Sequence, residues 1–75
     1  MRTKVLKILS EISSEFDFSI NSNFIEEGML DSFDIITLVT MLDEEFNISI
    51  EGTQIIPENF SSVDSICTLL SKYLK

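Results

Sequence analysis

Seventy-five residues with thirteen acids, five bases, no histidine and one cysteine make one small domain with a formal net charge of −8. That inventory excludes a serine–histidine catalytic pair, a cysteine–histidine zinc site and an internal disulfide. It also repels nucleic acid, which is bound by cationic groups that displace counterions from phosphate. The bases Arg2, Lys4, Lys7, Lys72 and Lys75 stand at the two ends of the sequence, and all the acids lie between Glu11 and Asp64. So one-sided a field either draws in a basic protein partner or only keeps a small protein soluble. No stretch approaches the roughly 20 apolar residues of a membrane-spanning helix. Met1-Arg2-Thr3-Lys4 does not open a signal-peptide pattern, and the lack of disulfide staples fits a cytoplasmic setting.

Val5, Ile8, Leu9, Ile12 and Phe16 fall at i, i+3, i+4, i+7 and i+11. That is one stripe of a 3.6-residue helix and predicts a first helix at about 3–16. The segment from Asp17 to Leu30 then reads as a long first loop, anchored by Ile20, Phe24, Ile25 and Leu30, with a turn at Gly28. Ile35, Leu38, Val39, Leu42 and Phe46 repeat the spacing and predict a helix at about 32–46. Asp31 is suited to cap it, and Asp34 puts a second carboxylate at its positive end. Ile48-Ser49-Ile50 alternates like a strand but has no partner, so it reads as an extended loop pinned by its isoleucines. Pro57 suits the first position of a short helix through Phe60. Val63, Ile66, Cys67, Leu70 and Leu74 predict the last helix at about 62–74. Ser61 or Ser62 would cap it, with Asp64 in its first turn and Lys72 and Lys75 at its negative end. The expected fold is all-α, a single domain over 1–75 with three main helices, one short helix and a long first loop.

Ser32 opens the second helix, and an Asp-Ser pair before an apolar run is also a plain helix-start signal in which the serine only caps. Asp31 can take that role, which leaves the Ser32 hydroxyl free. With no base beside it, a free hydroxyl there is an attachment point rather than a nucleophile, and the helix N-terminus favours an attached phosphodiester. Phe33 and Ile36 lie off the core stripe and flank Ser32. They either pack under the first loop or form a small apolar contact patch. Asp43-Glu44-Glu45 sets three acids against the helix dipole and against one another, which points to a partner or to solubility. Two glycines cannot build a glycine-rich phosphate loop, and the acids do not match a calcium-loop spacing. Cys67 falls on the last apolar stripe and reads as buried core. Asp31 and Asp34 could do acid–base work only in a cleft that so short a chain does not offer, so the chain does not read as an enzyme.

Three runs together resemble an acyl carrier protein: Gly28-Met29-Leu30-Asp31-Ser32, Leu42-Asp43-Glu44-Glu45-Phe46-Asn47-Ile48-Ser49-Ile50, and Phe60-Ser61-Ser62-Val63-Asp64-Ser65-Ile66. The similarity covers nearly the whole chain and is strongest from Phe24 to Ile66. It implies that Ser32, with Asp31 beside it, carries 4'-phosphopantetheine through a phosphodiester. Acyl or aminoacyl groups would then travel between partner enzymes as thioesters of that arm. The implied partners are a phosphopantetheinyl transferase and an adenylating ligase or acyl synthase or transferase with a basic docking surface. The implied docking face is Asp31, Phe33, Asp34, Ile36 and Glu44, and the carrier itself is expected to be a monomer. Phe33 stands where fatty-acid carriers usually have leucine, and Asp-Ser-Phe is similar to the motif of D-alanyl carrier proteins. Glu51 stands where a proline often follows the loop isoleucine. The alternative is a non-carrier acidic helical adaptor that binds a basic protein, with Ser32 a mere cap. Exposure and bonding of the Ser32 hydroxyl separate the two.

Overall fold

The computed structural model describes residues 1–18 and 23–74. Three α-helices, α1 (Arg2–Ile12), α2 (Ser32–Phe46) and α3 (Val63–Ser71), pack together, with 3-10 turns at Gly52–Gln54 and Pro57–Phe60 between the last two. No strand occurs among the described residues, as expected for an all-α chain. The apolar stripes form the core: Val5, Ile8 and Leu9 from α1, Ile35, Leu38, Val39 and Leu42 from α2, and Val63, Ile66, Leu69 and Leu70 from α3. Phe24 and Phe60 are the bulkiest fully buried side chains, so the connecting segments supply core as well as length. Lys4 Nζ lies 3.8 Å from Glu45 Oε2 and 5.9 Å from the Phe46 ring centroid, so the start of α1 meets the end of α2. Arg2 pairs with Asp64 in the first turn of α3. Both ion pairs are exposed and contribute little beside the apolar contacts.

Two helix ends and one core position differ from expectation. The first helix stops at Ile12, one turn before 16, where Ser13 turns extended (φ −146°, ψ 90°). Ser13 and Ser14 favour caps and turns over helix interiors, and they interrupt the stripe before Phe16. Phe16 is 36% exposed and meets Phe18, whose ring stands edge-on to Phe24 with centroids 5.0 Å apart. At the other end, α3 begins at Val63 and ends at Ser71, and Leu74 packs half-buried beyond it. Cys67 is also half-buried, which corrects its expected place in the core, and Leu69 is buried instead. Leu69 and Tyr73 extend the apolar arc beyond the stripe on one side, whereas Ser71 and Asp64 border Cys67 on the other, so the stripe alone does not fix the rotation of α3. Packing turns its covered arc toward Leu69 and puts Cys67 at the edge. Ile20 and Lys75, expected as a loop anchor and a helix-end charge, lie outside the described residues.

The loop after α2 forms no regular element at residues 48–50 and is anchored by its isoleucines as expected, Ile50 buried and Ile48 half-buried. Asn47 ends α2 in the left-handed region (φ 55°, ψ 52°). Glu51 adopts φ −68°, the angle proline would impose, but its N–H donates to Tyr73 Oη at 3.1 Å, which proline could not do. The 3-10 turn at Gly52–Gln54 has no counterpart in the apolar spacing.

Candidate functional site

The chain reaches Ser32 through a single, fully bonded turn. Asn23 Oδ1 accepts from the N–H groups of Ile25 and Glu26, both at 3.1 Å, and opens that turn. Gly28, at φ 74°, closes it. Its N–H donates to Ile25 O at 3.1 Å and that of Met29 to Phe24 O at 2.7 Å, the paired bonds of a Schellman closure. Leu30 N–H donates to the same Phe24 oxygen at 3.2 Å. Phe24, Met29 and Leu30 are buried, and Phe24 N–H donates to Ser61 O at 2.7 Å. The residues before Asp31 are thus held by the core and by the segment leading into α3. Met29 is an anchor that the spacing did not single out.

Asp31 is the cap of α2. In extended geometry (φ −113°, ψ −174°), its Oδ1 accepts from Asp34 N–H at 2.9 Å. Asp34 Oδ2 accepts in return from Asp31 N–H at 3.3 Å, completing a capping box built from two aspartates. Asp34 therefore holds the helix start as well as lending it charge. Ser32 follows as the first helical residue, and it is exposed. Among the described residues its hydroxyl makes no hydrogen bond. The first N–H groups of a helix have no intrahelical acceptor, and the aligned peptide dipoles leave this end positive. An exposed hydroxyl at that end fits a phosphodiester, because the anion lands on the positive end while one oxygen of each neighbouring carboxylate is engaged in the cap.

Phe33 is 80% and Ile36 60% exposed, so neither packs under the first loop. The three acids at the other end of α2 separate into distinct roles. Asp43 is half-buried and holds the following loop: its backbone oxygen accepts from Ile48 N–H and its Oδ1 from Ile50 N–H, both at 3.0 Å. Glu45 faces Lys4. Glu44 is exposed, has no ion pair among the described residues, and lines a groove with Lys7, Ile8, Glu11 and Met41. The structural duty of Asp43 was not visible in the acidic run. Its signal is an aspartate four residues before a helix-ending asparagine and seven before a buried isoleucine. Among the described residues no group of side chains could hold a metal ion, and no helix is long and apolar enough to cross a membrane.

Residues 3–70 match the family described as "Phosphopantetheine attachment site". The chain is also 33% identical over 73 residues to an acyl carrier protein of Buchnera aphidicola subsp. Baizongia pistaciae (strain Bp), covering 95% of this chain and 91% of that protein. No solved structure matches the chain.

Proposed function

The chain belongs to the phosphopantetheine-attachment family of acyl carrier proteins, and on that premise we propose that Ser32 is the residue that carries the arm. The observation that supports this most is the exposed, unbonded Ser32 hydroxyl beside a cap that Asp31 and Asp34 already complete. A serine serving as the cap would have its oxygen tied to the first-turn N–H groups. That separates the carrier from an acidic adaptor, in which Ser32 is only a helix start.

In this role the chain supplies the acceptor oxygen, its position and its electrostatic setting. With no histidine, it brings no imidazole base for the Ser32 proton, so the transferase takes that proton. Once attached, phosphopantetheine supplies a terminal thiol that holds acyl or aminoacyl groups as thioesters. The carrier then works as a free cytoplasmic monomer between a phosphopantetheinyl transferase and an adenylating ligase or acyl synthase or transferase. Phe33 and Ile36 give these partners an apolar contact, with Asp31, Asp34 and Glu44 as charges around it.

Intact mass after incubation with coenzyme A and a broad-specificity phosphopantetheinyl transferase tests the assignment. The parent should gain the mass of one phosphopantetheine, and Ser32→Ala should gain none while keeping its helical circular dichroism. Modification of the alanine variant, or an unmodified parent with several transferases, overturns it.

A further inference from the structure

The bundle is closed at the end where Ser32 stands. Phe24, Met29 and Leu30 come before the serine and Ile35 follows it on the inner side of α2, all of them buried. The segment that returns to this end brings Phe60 and Val63, also buried. Phe24 N–H donates to Ser61 O at 2.7 Å, so the backbone that carries Phe24 meets the one that follows Phe60. Phe18 stands edge-on to Phe24, with centroids 5.0 Å apart. Phenyl rings thus fill this end of the core, and those of Phe24 and Phe60 are fully buried.

The seam between α2 and α3 is fastened at both ends. Near Ser32, the Phe24 peptide joins three backbone bonds, one from its N–H to Ser61 O and two to its oxygen from the N–H groups of Met29 and Leu30. At the far end, Asp43 Oδ1 accepts from Ile50 N–H at 3.0 Å and Tyr73 Oη from Glu51 N–H at 3.1 Å. A close-packed apolar core takes in added methylenes only by displacing its own side chains. Parting the seam to make room leaves backbone groups without partners.

Outside the core, the surroundings of Ser32 are polar or open. Asp31 and Asp34 flank it, and Phe33 and Ile36 are exposed. A hollow of about 250 Å³ beside the Phe24–Ser61 bond is lined by Asn23, Ile25, Glu26, Pro57, Glu58 and Ser61, and both of its glutamates are exposed. A small acyl group, or one that bears an ammonium or hydroxyl, keeps its hydration in such a setting. A long alkyl chain gains no cover there.

We infer that a thioester carried on the arm stays outside the fold, so that the chain is built for short or polar acyl groups and gives a long alkyl chain no shelter. This rests on Ser32 carrying the arm and names the class of cargo.

The test compares acetyl and octanoyl forms of the carrier. Each is made by transferase from the acyl-coenzyme A, or by acylating the thiol of the carrier loaded from coenzyme A. The two cargoes differ only in CH2 groups, and withdrawing each of those from water would raise Tm by roughly 3–6 °C. The octanoyl form should therefore melt no more than about 3 °C above the acetyl form. Hydroxylamine should release both acyl groups at the same rate. On a phenyl column the octanoyl form should elute later, because its chain is exposed. A larger rise in Tm, slower release of octanoyl, or co-elution with the acetyl form overturns the inference. A parent that accepts no arm from coenzyme A overturns the Ser32 assignment and this inference with it, whereas a loaded parent that shelters octanoyl overturns this inference alone.

Discussion

Replacing Asp31 with alanine removes the side-chain acceptor of Asp34 N–H, now bonded at 2.9 Å, and a negative charge at the positive end of α2. Loss of an N-cap costs about 1 kcal/mol, and loss of a favourable charge at a helix end about 0.5 kcal/mol. The sum, about 1.5 kcal/mol, lowers Tm by roughly 6–12 °C in a domain of this size. Asp31→Asn keeps an oxygen in the capping position and loses only the charge, so it should cost about 0.5 kcal/mol. Ser32→Ala removes a hydroxyl that makes no hydrogen bond among the described residues and introduces the best helix former, so stability should change by less than about 0.5 kcal/mol. The assay pairs thermal unfolding with intact mass after transferase treatment on the same three proteins. Ser32→Ala should be the stable variant that accepts no arm, and Asp31→Ala the one with the largest fall in Tm. Destabilisation of Ser32→Ala equal to that of Asp31→Ala would show that the serine is the cap. An Asp31→Asn as unstable as Asp31→Ala would show that charge, and not the accepting oxygen, holds the helix start.

Gly28 and Gly52 should respond oppositely to alanine. A Cβ meets no atom within 4 Å at either, but Gly28 sits at φ 74°. Gly28→Ala should therefore cost about 1–2 kcal/mol, and Gly52→Ala, free of that strain, should be neutral or stabilise by up to about 1 kcal/mol. Chemical denaturation distinguishes them, and equal effects would contradict the turn geometry before Asp31. At the far end of α2, Asp43→Ala leaves Ile50 N–H without its acceptor and should destabilise by about 1–2 kcal/mol. Glu44→Gln should leave stability within about 0.5 kcal/mol. It should nevertheless slow arm transfer at low salt, with the gap closing near about 1 M salt. A stability loss confined to Glu44→Gln, or a transfer deficit indifferent to salt, would reverse these roles.

The sequence by itself determined the all-α architecture, because three apolar stripes at helical spacing can be buried together only as packed helices. It also offered two caps for α2, Asp31 and Ser32, and the folded helix start chose between them: the box closed by Asp31 and Asp34 leaves the serine free of that role. Tertiary structure decided what is reached from outside. Phe33 and Ile36 could equally have lain under the first loop; Phe24, Met29 and Leu30 take that loop inward instead and leave the two side chains exposed. The acidic run at 43–45 looked uniform until Ile50 and Lys4 came to it from other segments, leaving only Glu44 without a partner among the described residues. Cys67 lost its expected burial to Leu69 for the same reason. Periodicity says that a helix has an apolar side, but the rotation of that side follows from the surfaces packed against it, and those are brought together only by the folded chain.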